Sequence, residues 1–215
     1  VEKSPRHGEY VDVPLSEGKT VRAYVVYPEV KEKAPVVIVI HEIYGLTDWI
    51  KSVTDALAAD GFIAIAPDFL TGRGPNGGAT DSFASRDEVT QAVRAIQGNV
   101  VTAVLDATRK YAATIPSATP KFATVGFCWG GTQSFTYAVQ QPDLGAAVVY
   151  YGSMGAIMLS LMGIFTGIWA EKFDHSAAIT NFVVQPLSLL SGTFYTVDKL
   201  AGPWQAISHA NPFFY

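Results

Sequence analysis

A single cysteine, Cys128, occurs in the 215 residues, so an intramolecular disulfide is excluded and this thiol is either reactive or simply buried. The four histidines, at 7, 41, 175 and 209, match no metal-ligand spacing, and neither a metal nor an organic cofactor is expected. Lysine and arginine form no cluster and the formal net charge is −4, which removes the basic footprint of a nucleic-acid binder. There is no internal repeat, and the only low-complexity tract is the glycine-rich stretch Thr71–Ala79. The chain begins with Val1 rather than methionine, which leaves upstream processing open, and with it both a cytoplasmic and an exported, periplasmic location. Apolar residues, by contrast, make up 49% of the chain, enough to build one sizeable core in a single domain or one domain with an appendage.

Charge is scarce in one region. Beyond Gly152 the only charged side chains are Glu171, Lys172, Asp174, Asp198 and Lys199. Two sequence regimes follow, with a boundary near 152/153. In the first, short apolar runs at Val36–Ile40, Phe62–Ala66, Phe122–Val125 and Ala146–Tyr151 alternate with helix-like stretches at Asp48–Ala59, Arg86–Ile96 and Val101–Ala113. That alternation predicts an α/β fold, a parallel sheet covered by helices. Ahead of it, Glu9–Leu15 and Val21–Tyr27 flank Ser16-Glu17-Gly18-Lys19 and predict an antiparallel hairpin on the sheet edge.

The second regime opens with Ser153–Ala170, an uncharged run in which Met154, Met158 and Met162 recur at helical spacing. It is just long enough to be a transmembrane candidate, and Gly163 and Gly167 stand at the spacing that lets membrane helices approach closely. A helical, apolar C-terminal segment is therefore expected. It could instead cover a sheet face, and if it leaves that face bare an apolar patch would favour a homodimer.

The strongest chemical signal is Gly126-Phe127-Cys128-Trp129-Gly130-Gly131, between an apolar run and the helix-like Thr132–Gln140. It has the form G-x-nucleophile-x-G, in which small residues flank a strained turn from strand to helix that lifts the nucleophile above the sheet. The turn would also aim the Trp129 amide and the positive end of the next helix at an anion forming beside Cys128. His41-Glu42-Ile43-Tyr44-Gly45 follows the Val36–Ile40 run directly, and open α/β sheets bind ligands at the carboxyl ends of their strands. Glu42 next to a thiol can accept its proton. Its alternative is a solvated loop carboxylate, and the alternative for Cys128 is a buried structural thiol. His41, adjacent to Glu42, points its side chain elsewhere and reads as a supporting residue.

Together with Pro67-Asp68-Phe69, these segments resemble the dienelactone hydrolase family, over about residues 7–152. The resemblance implies an α/β-hydrolase-like domain that cleaves a small-molecule carboxylic ester or lactone. It implies Cys128 as nucleophile, Glu42 as its carboxylate partner, and the amides of Ile43 and Trp129 as the oxyanion hole. Arg73, in the glycine loop, matches more loosely an arginine that holds a substrate carboxylate. Tyr44, with Trp49, Phe69 and Trp129, would line an apolar pocket.

The family's later acid and histidine motifs are missing, which leaves the domain incomplete at its C-terminal side. From Ser153 onward the chain resembles the membrane-spanning subunit of an ABC-2 type exporter, through Ile168–Asp174, Asn181-Phe182, Gln185-Pro186-Leu187, Ser191–Tyr195 and His209–Tyr215. The chain thus reads as a chimera, with membrane association through its tail. Asp174 and His209 follow Cys128 in the order nucleophile, acid, base and are the candidates to complete a triad, although the permease pattern accounts for both. Without a histidine, deacylation would be slow. The rival readings are a membrane permease fragment and a catalytically inactive hydrolase-like module.

Overall fold

The computed structural model describes residues 4–152. They belong to a compact unit spanning Val1–Gly152. The expected C-terminal helix, Asp174 and His209 lie outside the described residues.

Among the described residues six strands form one sheet: β1 (Gly8–Pro14), β2 (Thr20–Val26), β3 (Ala34–Ile40), β4 (Ile63–Pro67), β5 (Ala118–Phe127) and β6 (Ala146–Tyr150), in the spatial order β1-β2-β4-β3-β5-β6. The hairpin of β1 and β2 is antiparallel and joins the sheet through an antiparallel β2–β4 pair, while β4, β3, β5 and β6 run parallel. The architecture is thus a mixed sheet flanked by helices, with the hairpin on the edge as its alternating sequence predicts. The parallel strands at the centre, β3 and β4, are buried along nearly their whole length, which is why they read as unbroken runs of Val, Ile and Ala.

Four α-helices of the described residues cover the sheet: α1 (Asp48–Ala59), α2 (Arg86–Arg94), α3 (Gly98–Ala113) and α4 (Trp129–Gln140). Thr47 caps α1, its hydroxyl accepting from the Ile50 amide at 3.4 Å, and Ser85 caps α2 by accepting from Glu88 at 3.3 Å. Successive residues of β3 serve opposite faces, as the two-residue period of a strand requires. Val36, Ile38 and Ile40 pack with Val89, Val93, Val104 and Leu105 of α2 and α3. Val37 and Val39 pack with Ile50 and Ala58 of α1. Among the described residues no helix is long and apolar enough to cross a membrane.

Several boundaries differ from expectation, among them the starts of α3, at Gly98 rather than Val101, and of β5, at Ala118 rather than Phe122. Helix α4 starts at Trp129 rather than Thr132, because Gly130 and Gly131 are helical and serve close packing rather than a wider turn. Helix α2 ends at Arg94, where Ala95 and Ile96 close the last turn onto Gln91 and Val93 and turn Ile96 into the core.

Candidate active site

Strands β3 and β5 are neighbours, and their register sets Ile40 opposite Gly126. Both chains then leave the sheet at the same end, so the loop from His41 and the turn at Cys128 begin side by side. Cys128 is the residue at the turn. It is half-buried, has φ 53° and ψ −115°, and precedes the first residue of α4. A side chain rarely adopts this backbone, and it persists only where the surroundings enforce it. Here they do: the Cys128 amide donates to the Tyr150 carbonyl at 3.0 Å, tying the turn to β6. A Cβ on Gly126 would strike the backbone of Gly130, and one on Gly130 would strike the carbonyl oxygens of Ile40 and His41. The flanking glycines therefore let the start of α4 lie directly against the ends of β3 and β5.

The loop after β3 is held from below by two buried polar side chains. His41 is fully buried. Its Nε2 accepts from the Phe69 amide at 3.3 Å, so the ring proton is assigned to Nδ1, which donates to the Glu42 carbonyl at 2.7 Å. Burial holds the imidazole below the usual histidine range, against the opposing pull of Asp68, and the ring is neutral. It stacks on Trp129 at 5.5 Å and meets Phe69 edge-on at 5.2 Å. Asp68 is also buried, and its carboxylate accepts from the Leu70 amide, the Thr80 amide and the Thr80 hydroxyl at 3.0, 3.0 and 2.7 Å. The Thr80 hydroxyl in turn accepts from the Leu46 amide at 3.1 Å, so the glycine loop and the His41–Leu46 loop are fastened to one carboxylate.

Glu42 is half-buried. Burial raises its carboxyl above the ordinary glutamate value, and the Arg86 guanidinium pulls it partly back. Arg86 also lies over the Tyr44 ring, 5.4 Å from its centroid. Tyr151, just after β6, has φ 38°, and its phenol is raised by burial first and then by electrostatic interaction with Glu42 and Cys128. Glu42, Cys128 and Tyr151 thus share one electrostatic neighbourhood. Neither the Ile43 amide nor the Trp129 amide has a hydrogen-bond acceptor among the described residues. Trp49 stands exposed with its ring edge-on to Phe127 at 4.9 Å.

Arg73 is exposed on the glycine loop, its amide donating to the Leu70 carbonyl. The cation whose charge reaches Glu42 is instead Arg86, at the first turn of α2. Sequence reasoning passed over Arg86 and Tyr151. An arginine opening a polar helix has no spacing signature, and Tyr151 reads as the last residue of a strand.

Residues 21–167 match the sequence model of the dienelactone hydrolase family. The chain belongs to that family. A protein of Yersinia pestis named as a carboxymethylenebutenolidase is 35% identical over 140 residues, which is 65% of this chain and 51% of that relative. A crystal structure named as a dienelactone hydrolase from Klebsiella pneumoniae superposes with a TM-score of 0.60 at 31% identity, over 68% of this chain and 60% of the other. This member of the dienelactone hydrolase family therefore spans about half the length of the curated relatives it matches. A further 60 residues' worth of similarity, 40% identical and covering 28% of this chain and 23% of the other, is to an inner membrane transport permease of Escherichia coli, in keeping with the resemblance of the tail. By family and by fold the chain is thus α/β-hydrolase-like, of dienelactone hydrolase type.

Proposed function

We propose that the chain cleaves carboxylic esters or lactones by acyl transfer through Cys128. The observation that carries this reading is the strained backbone of Cys128 at the head of α4, on a turn whose neighbouring Trp129 amide has no acceptor among the described residues. In the proposed reaction the Cys128 sulfur attacks the carbonyl carbon while Glu42 takes the thiol proton. The oxyanion accepts hydrogen bonds from the Ile43 and Trp129 amides, whose N–H groups have no acceptor among the described residues. Collapse expels the alkoxide, which gains a proton, and leaves a thioester on Cys128. Water then releases the acid and restores the thiol. The relatives' name denotes action on a butenolide bearing a carboxymethylene group, and a substrate with a free carboxylate would find Arg86 and the Tyr44 ring beside Glu42.

Deacylation needs a base to activate water. By sequence order His209 is the proposed base and Asp174 the proposed acid, and without a histidine turnover should slow by about 10²–10⁴-fold. The test is hydrolysis of an activated short-chain phenyl ester, followed from the first turnover beside Cys128→Ala. A burst that depends on Cys128 is expected, and sustained turnover after it would lead next to His209→Ala. Equal progress curves for the chain and Cys128→Ala would remove the cysteine mechanism.

The permease similarity supports a second proposal, that residues 153–215 are a foreign, membrane-seeking segment joined to the hydrolase portion. Expressed alone, that segment should partition with the membrane fraction, and recovery in the soluble fraction would count against it.

A further inference from the structure

We infer that His41 is a positioning residue that sets both donors of the oxyanion hole, an inference that rests on the acyl-transfer reading above. The Glu42 carbonyl and the Ile43 amide belong to one planar trans peptide group, so they point in opposite directions and turn together. The Glu42 carbonyl accepts from His41 Nδ1 at 2.7 Å and from the Gly45 amide at 3.3 Å. Two donors on this one oxygen hold the peptide's rotation, and the trans geometry aims the Ile43 N–H away from the buried imidazole. The imidazole is held in place, because the Phe69 amide holds Nε2 at 3.3 Å and the ring packs against both Phe69 and Trp129, which also meet each other.

The same ring reaches the second donor. It stacks on the Trp129 side chain with 22° between the planes, and the backbone of α4 rests on the Ile40 and His41 carbonyls at Gly130. A displaced imidazole would therefore disturb the Trp129 end of the hole as well as the Ile43 end. Burying a full imidazole is costly unless both nitrogens are satisfied, and here each has a backbone partner. An apolar residue could fill the same space more cheaply, but it could not hold the peptide plane.

Acylation and alkylation of the same sulfur separate this role from a general structural one. Attack on an ester creates an oxyanion, whereas displacement of iodide from iodoacetamide does not. In His41→Phe, which keeps a ring but loses both hydrogen bonds, the Cys128 acylation rate with an activated phenyl ester should fall by about 10²-fold, the loss typical of one oxyanion donor. Alkylation of Cys128 by iodoacetamide should be little changed. The carboxamide of His41→Gln offers one N–H and one C=O, so it should restore most of the acylation rate. Parallel loss of acylation and alkylation in both variants would overturn the inference, as would an unchanged acylation rate in His41→Phe or a failure of His41→Gln to recover it. Absence of Cys128-dependent acylation in the unaltered chain would overturn the hydrolase reading itself, and it is distinguished because it appears before any substitution is made.

Discussion

Glu42 stands where burial and a neighbouring cation oppose each other. Burial favours its protonated form and Arg86 favours the carboxylate, with burial prevailing. If Glu42 takes the thiol proton, only its carboxylate form is competent, and the acylation rate should fall as pH drops through a value above the ordinary glutamate range. Arg86→Gln removes the group that favours the carboxylate, so the acidic inflection of the burst rate should move to higher pH. Glu42→Gln should abolish that inflection and slow acylation. An inflection that stays put or moves down in Arg86→Gln would show that a different group titrates. The placement of Cys128 and Glu42 beside each other's strands was legible in the sequence because each sits in a local motif at the end of an apolar run. Arg86 was not, since its closeness to Glu42 depends on how the helix after the glycine loop folds back over the sheet. The dual hydrogen bonding of His41 was hidden for a similar reason, because Phe69 reaches it only through the β3–β4 pairing.

Among the secondary-structure elements, the turn into α4 is the most exacting. Glycines at helix starts differ in what a side chain would meet. A Cβ on Gly130 would meet backbone oxygens that belong to the end of β3 and cannot move aside without shifting the strand. Gly98, the first residue of α3, has open space around its missing Cβ. Gly130→Ala should therefore destabilise the fold by about 2 kcal/mol or more and impair acylation at Cys128. Gly98→Ala should be neutral or stabilising by about 0.4–1 kcal/mol, because alanine restricts the unfolded chain. Chemical denaturation of the two variants would check the contrast, and equal effects would contradict it. Most elements could be placed from sequence because parallel strands buried on both faces read as apolar runs and the helices carry their own caps at Thr47 and Ser85. The start of α4 was misplaced by three residues because glycine ordinarily signals a turn, whereas here it permits contact.

Across the whole described region, the sheet separates two apolar layers that share the strands between them. Leu105 belongs to the layer under α2 and α3, and Ile50 to the layer under α1. Both are fully buried. Leu105→Ala and Ile50→Ala should each cost about 2–5 kcal/mol and should lower the same cooperative unfolding transition, since β3 contributes to both layers. Separate transitions for the two variants would show that the layers unfold independently. The pairing at the centre of this sheet also has a kinetic consequence. Val36 of β3 lies opposite Phe122 of β5, so most of the described chain must be made and gathered before the two strands can meet. Contacts between such distant positions carry a loop-closure cost that local pairs such as the β1–β2 hairpin escape. The hairpin and α1 can therefore form early, while the two loops bearing Glu42 and Cys128 come together only at the slow, nonlocal step. In refolding experiments, the reactivity of the thiol would then serve as a clock for the last event rather than the first.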